Sequence, residues 1–394
     1  MPFPPEADLL LHCARSQIGP DRATAITRLV SAGIHWRYLL DLARPHGMRP
    51  FLYRHLSTVC PDAVPDDTLD HLGDEFQKNA ARNLFLTREL RKLLDLLEAA
   101  SIPVVPYKGP ILAVTVYGDL ALREFCDLDI LVQPHDVAGV RELLLTNDYV
   151  RHFPLTPAQE AVYLPHLGEY KFHRCDGKVL LEVHWELTPR DFPFPLASTG
   201  LWDRLRAMPF GGRTVRNLSP EDLFLFLCAH GSRHVWSRLE WLCGVAELIR
   251  VHTDMDWGLV LRLAEQTGST RTLLLGLYLA TDLLDTPLPE AIRSRVQTDP
   301  TVRALAAEVG RQLFREPLGA ASDPGETIFR IRVRERWQDR ARCCLSRIIA
   351  PTVEDASSLA LPAALSFMYY PIRPVRLLGK HAMETMRRRS WKRA

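Results

Sequence analysis

A chain of 394 residues with 47% hydrophobic and 24% charged residues is ordinary for a globular protein and long enough to bury more than one structural unit. The longest apolar candidate for a membrane span, Leu359 to Tyr370, is too short and contains Pro362. The eight cysteines form no C-x-x-C pair, which argues against a zinc site or a disulfide framework, and the net charge of only +2 means that any basic surface is local.

Residues 1–70 read as an N-terminal helical region, with helical patterns from Ala7 to about Leu56 and a Pro- and Asp-rich break at Cys60 to Asp67. The opening Met1-Pro2-Phe3-Pro4-Pro5-Glu6 lacks the basic start and small-residue cleavage site of a secretory signal, so a cytoplasmic location is expected. A longer helix is predicted from about Leu69 to Ala100. There Phe76, Ala80, Asn83, Leu86, Leu90, Leu93 and Leu97 recur at helical spacing and form a stripe suited to pack on a sheet.

The chemistry concentrates in residues 71–215, expected to be an α/β core. Ile102 to Val105 is a short apolar strand, Lys108-Gly109-Pro110 breaks it, and Ile111 to Tyr117 forms a short helix whose start aims N–H groups at an anion near Gly109. Asp127 to Val132 then reads as a strand. Residues two apart share a face, so Asp127 and Asp129 lie on one side while Leu128, Ile130 and Val132 lie on the other. Cys126 should point away from Asp127 by the same parity. Flexible carboxylates at such positions converge on divalent ions, and without a cation they repel. The spacing alone is weak evidence: Asp254-Met255-Asp256 has it too, but there it precedes a helical pattern and reads as an N-cap.

Pro154 to Pro165 is read as a lid or a surface excursion. Tyr170 to Lys178 reads as a strand and a turn at Asp176-Gly177, and Val179 to Leu187 as the return strand, with Glu182, His184 and Glu186 on its polar face. Set beside the Asp127 strand, it would supply Glu182 as a third carboxylate, with His184 next along. Residues 216–370 are expected to form a C-terminal helical domain, opened by Ser219 as N-cap and Pro220. In it His230 and His234 share a helix face, with base, substrate-contact or packing roles ahead of metal ligation, while Trp236 and Trp241 are assigned to the core. Residues 371–394 carry eight Lys or Arg and one Glu, a basic tail read first as a solvated, disordered segment and otherwise as able to touch an anionic partner; with few interleaved aromatics, a dedicated nucleic-acid site is not supported.

Taken together, the apolar run into Lys108-Gly109, Tyr117-Gly118-Asp119, Arg123, Asp127-Leu128-Asp129-Ile130-Leu131-Val132, Leu181-Glu182-Val183-His184-Trp185, His230-Gly231 with Trp241, and Leu277 to Pro289 resemble an uncharacterised nucleotidyltransferase family of bacteria. It is a branch of the polymerase-beta-like superfamily. The resemblance covers roughly residues 30 to 300. It implies an α+β fold, a small mixed sheet with helices, flanked by all-helical regions. It also implies two Asp and a third acid holding Mg²⁺, with an NTP as donor and a hydroxyl-bearing acceptor of open identity. On that pattern Asp127, Asp129 and Glu182 are catalytic and metal-binding; beside it, and not established by the likeness, Lys108, Gly109, Arg123 and His184 are expected to bind nucleotide, Arg123 alternatively holding the Asp strand as an ion pair. The chain departs from the pattern in having Lys108-Gly109 where the wider superfamily has Gly-Ser, and in Gly244, where relatives often carry an acid. A protein that keeps the fold and binds nucleotide or a partner without catalysis is the competing reading. Nothing in the sequence selects among ATP, CTP, GTP and UTP.

Overall fold

The computed structural model describes residues 3–153, 156, 159–160, 168–188, 192, 194–315, 324–350, 361 and 363–377. Most of Pro154 to Pro165, and the basic tail beyond residue 377, lie outside the described residues. The architecture is α+β. Helices α1 (Pro5–Cys13), α2 (Pro20–Ala32), α3 (Trp36–Ala43) and α4 (Arg49–Val59) precede the 34-residue α5 (Asp66–Ala99), about 50 Å long at 1.5 Å per residue.

The sheet is built from β1 (Val104–Pro106), β2 (Asp127–Val132), β3 (Tyr149–Arg151), β4 (Glu169–Arg174) and β5 (Leu180–His184), in the order β1-β2-β5-β4-β3. β2 and β5 run parallel, and the other pairs are antiparallel. Strand alternation makes the sheet two-faced. Leu128, Ile130, Val132, Tyr170, Phe172, Leu181 and Val183 are buried in one apolar cluster with Leu86, Leu90, Leu93 and Leu97 of α5 and with Val140 and Leu144 of α7 (Val137–Leu145), the helix that follows the short α6 (Gly109–Thr115). The α5 stripe therefore packs on the sheet as its spacing predicts. Asp127, Asp129, Glu182, His184, Glu169 and Lys171 are left on the other face.

The return strand is shorter than the sequence pattern suggests. The Gly168 carbonyl accepts from both Trp185 N–H (3.0 Å) and Glu186 N–H (3.2 Å), a bulge that ends the regular ladder at His184 and turns Glu186 out of register. A hairpin absent from the sequence expectations, β6 (Arg206–Phe210) and β7 (Arg213–Asn217), turns at Gly211-Gly212, where φ is +59° and +84°.

The rest is helical: α8 (Pro220–Arg233), α9 (Leu239–Val251), α10 (Trp257–Thr267), α11 (Thr270–Leu284), α12 (Glu290–Val296), α13 (Pro300–Leu313), α14 (Pro324–Arg332) and α15 (Trp337–Ile349). Ser219 caps α8, accepting from Asp222 N–H at 3.1 Å, and Asp256 caps α10, accepting from Leu259 N–H at 2.9 Å, so the second D-x-D is a helix start. Residues of α1 to α4 share one buried apolar cluster with residues of α8 to α13. The front helices thus brace the C-terminal ones. No helix among the described residues is long and apolar enough to cross a membrane.

Candidate functional site

A cavity of about 590 Å³ opens over the polar face of the sheet, between β2, β4 and β5 on one side and α5, α8 and α9 on the others. Its volume is in the range of small-molecule sites. Lys108, Arg123, Asp127, Asp129, Glu182 and His184 all line it, and Gly109 is buried behind Lys108 without reaching the wall.

Register explains the centre of the site. Asp129 of β2 lies directly across from Glu182 of β5, on adjacent strands and the same face. Asp129 Oδ1 accepts from His184 Nε2 at 3.1 Å, and the same imidazole reaches Glu182 Oε2 at 3.4 Å and, through Nδ1, Glu169 Oε2 at 3.3 Å. Ligand atoms of Asp129, Glu182 and His184 lie within 4.8 Å of one another, and all three residues are buried. Asp127 lines the same cavity but is not one of those three. The geometry thus puts His184 among the acids, a place the sequence reading gave to Asp127.

Two ammonium groups balance the acids. Lys108 Nζ is 2.6 Å from Asp129 Oδ1, and Lys171 of β4 pairs with Glu182 and, at 3.3 Å, with Glu169. Burial alone would raise the Asp129 pKa, but Lys108 and His184 outweigh it and hold the carboxyl well below its ordinary range. Glu182 likewise resists burial: the hydrogen bonds from His184 and Lys171 bring it down to about 2. Burial would lower His184, but its hydrogen bonds to Asp129 and Glu182 prevail and raise it. Asp127 moves the opposite way from the other two acids, pushed up by burial and by the charge of Asp129.

Glu169 and Lys171 were missed as site residues. Their signal was present, since apolar Tyr170 and Phe172 set the parity that sends Glu169, Lys171 and His173 to the polar face. Cys126 also departs from expectation. It precedes β2, so strand parity does not govern it, and it stands on the cavity wall open to solvent on one side; partial desolvation of the thiol, then the charge of Asp127, pushes it up, against a thiolate role.

Arg123 sits at the end of a loop pinned by α5. Asn79 Nδ2 donates to the Ala121 and Arg123 carbonyls (2.9 and 3.2 Å), and Asn83 Nδ2 to those of Leu120 and Arg123 (2.6 and 2.7 Å). The guanidinium donates to the Gly109 carbonyl at 3.4 Å and lies over Phe125 at 5.9 Å, in place of the alternative ion pair with Asp127. Gly109 itself has φ +50°, and a Cβ there would meet the Asp127 carbonyl oxygen at 3.4 Å. Glycine therefore lets the turn after β1 press against the start of β2. Because Ile111 N–H turns back onto the Lys108 carbonyl at 3.1 Å and Pro110 has no N–H, few backbone donors remain for the anion role expected at this turn.

The opposite wall comes from α8 and α9. The His230 and His234 rings lie 4.7 Å apart, tilted by 51°, and the Trp241 ring lies 5.5 Å and 4.9 Å from them. Burial, then nearby cations, takes both imidazoles down, His234 to about 3, so this wall is neutral at pH 7. Trp236 is core at 1% exposure, as expected, whereas Trp241 is half-buried and lines the cavity. Arg233 and Arg238 flank the wall.

A loop before α4 fixes the start of α9. His46 Nδ1 accepts from Leu239 N–H and the His46 carbonyl from Glu240 N–H, each at 3.1 Å. Burial lowers His46 to about 4. A histidine with a depressed folded-state pKa contributes stability that is present above the unfolded pKa near 6.5 and lost as pH falls toward 4. From His46 alone, going from pH 7 to 5 should cost about 2 kcal/mol, with His234 adding in the same sense. Urea denaturation at the two pH values measures this, and His46→Gln should flatten the dependence; equal pH slopes in wild type and variant would refute it.

The fold and cavity define an α+β protein whose mixed sheet presents paired acids to a cleft. The model of a family described as uncharacterised nucleotidyltransferase matches residues 32–285, and the chain belongs to that family. No curated protein and no solved structure matches the chain.

Proposed function

We propose that the cavity is a nucleotidyl-transfer site that takes an NTP with Mg²⁺ and moves its NMP to a hydroxyl-bearing acceptor. The observation that carries this reading is the buried Asp129–Glu182–His184 cluster at the floor of a cleft walled by Lys108, Arg123, Arg233 and Arg238. The donor set suits a divalent cation: carboxylate oxygens from Asp129 and Glu182 with Asp127 close by in the same cavity, and an imidazole whose presence also admits Mn²⁺. When bound, the metal would screen the phosphate charge and stabilise it as it shifts in the transition state.

The chain's own groups supply the rest. Arg123 and Lys108 neutralise phosphate oxygens. The acceptor oxygen bonds to the α-phosphorus, the bond to the β-phosphate oxygen breaks, pyrophosphate departs, and the hydroxyl proton goes to a carboxylate. Asp127 suits that last role better than Glu182, which is held at about 2 by His184 and Lys171. The neutral wall of His230, His234 and Trp241 offers the base a stacking surface.

Calorimetric titration of each NTP with and without Mg²⁺ tests the reading. Metal-dependent binding of at least one NTP supports it, and binding of none overturns it. Trp241→Ala should weaken the bound NTP about tenfold, in the range of one base–aromatic stack; unchanged affinity would remove Trp241 from base recognition. A binding protein with a degenerate site is the second reading, favoured by the internal pairing of Asp129 and Glu182 with lysines. Metal-dependent NTP binding without pyrophosphate release across an acceptor screen would favour it.

A further inference from the structure

The carboxylate oxygen best placed for a metal is already in use. Asp129 Oδ1 takes Lys108 Nζ at 2.6 Å and His184 Nε2 at 3.1 Å, and the Asp129 side chain is 1% exposed. Lys108 lies two residues after the end of β1 and is 16% exposed on the cavity wall, its ammonium 5.4 Å from the Tyr107 ring and 5.6 Å from that of Phe226.

A divalent ion bound to the same oxygen at about 2.1 Å could be no farther than about 4.7 Å from an ammonium that stayed in place. The metal and the ammonium would then share one buried carboxylate oxygen, a repulsive arrangement in a site of low dielectric. Lysine, unlike arginine, is a compact charge on a flexible four-carbon stem and can leave by rotation alone. Lys108 lines the cavity, so its exit opens into it. The metal would take the place of the ammonium on Asp129 Oδ1, so no buried acceptor is orphaned when Lys108 departs.

We infer that Lys108 is an exchangeable counter-ion, neutralising Asp129 in the resting site and passing to the donor's phosphates when a metal–triphosphate complex enters. The inference rests on the nucleotidyl-transfer reading and adds to it a coupling: metal alone competes with Lys108, whereas metal with triphosphate gives the displaced ammonium a new anion. Bare metal is therefore bound weakly and metal–nucleotide tightly, which keeps the resting site free of metal until the donor arrives.

The test uses full-length protein and Mn²⁺ as probe, with free Mn²⁺ followed by electron paramagnetic resonance. Lys108→Met should bind Mn²⁺ alone at least tenfold more tightly than wild type. In calorimetry it should bind Mg²⁺ with a non-hydrolysable NTP analogue at least tenfold more weakly. Lys108→Arg keeps the charge and should leave Mn²⁺ alone weakly bound. Lys108→Gln replaces the methionine variant if that one does not fold. Unchanged or weaker Mn²⁺ binding on removal of the ammonium overturns the exchange and leaves Lys108 as a fixed support for Asp129. Asp129→Asn separates the two ideas: if it leaves Mn²⁺ and metal–nucleotide binding intact, the site assignment itself fails, whatever Lys108 does.

Discussion

Replacing Asp127 and Asp129 together by asparagine is expected to abolish Mg²⁺-dependent NTP turnover while the fold persists. Both side chains keep their size, and the apolar face of β2, which packs on α5, is untouched. The chemistry is another matter. An amide at position 129 cannot offer an anionic oxygen beside Glu182, and one at position 127 cannot take up the acceptor's proton. Loss of one well-placed electrostatic contributor typically costs 10²–10³-fold, and two acting on the same phosphoryl group should bring turnover below about 10⁻³ of wild type. The single variants carry further information: Asp129→Asn should be the more severe, because Asp129 belongs to the buried cluster and Asp127 stands beside it. Pyrophosphate release, with circular dichroism as the check on folding, measures all three. Wild-type turnover in the double variant would end the assignment of this cavity as the reaction site.

The polar face of β2 was legible because strand parity is a local property: two acids separated by one apolar residue, inside an otherwise apolar hexamer, have one placement on a half-buried strand. The pairing of Asp129 with Glu182 follows once β2 and β5 are neighbours, and the alternation in Leu181 to Trp185 marks β5 as half-buried. What escaped was set by distant contacts. His46 holds the start of α9 from 193 residues away, and only in three dimensions does the loop at Gly47 explain why Glu240 is buried. A Cβ on Gly47 would stand closer than 3.0 Å to Glu240 Oε2, and Glu240 Oε1 is held by Arg238 at 3.1 Å. Lys108 was legible as a charge near the phosphates, but its resting partner was not, since sequence distance says nothing about which acid a flexible lysine reaches. The shortened β5 was hidden for a related reason. The alternation continues through Leu187, and it is the carbonyl of Gly168, from another strand's approach, that breaks the ladder.

Gly231→Ala should produce the largest loss of stability of any one-carbon addition in the cavity-facing helices, about 3 kcal/mol, the upper end of the usual cost of overpacking. In a solvent-exposed helix the same change would help, because alanine is the better helix former by about 1 kcal/mol. Here the added methyl would stand closer than 3.0 Å to three atoms of the Trp236 ring. Trp236 is 1% exposed and cannot retreat easily: the ring is enclosed, and the same edge that faces Gly231 also lies against Gly276 of α11. The backbone adds a second restraint, since Val235 and Trp236 both have positive φ (+57° and +53°), and Trp236 N–H closes the end of α8 onto the Gly231 carbonyl at 2.8 Å. Two consecutive non-glycine residues in the left-handed region cost on the order of 1 kcal/mol each, a strain that burial of the indole offsets. Pushing the ring outward would undo that compensation and shift the turn carrying His234 and leading to Trp241. The variant should therefore unfold at a lower urea concentration and bind NTP more weakly even where it is folded. Gly310→Ala is the matched control, because nothing lies within 4 Å of its Cβ position in α13, and it should be neutral or slightly stabilising. Equal urea midpoints for the Gly231 and Gly310 variants would show that Trp236 has room to move and that the α8–α9 turn does not depend on its packing.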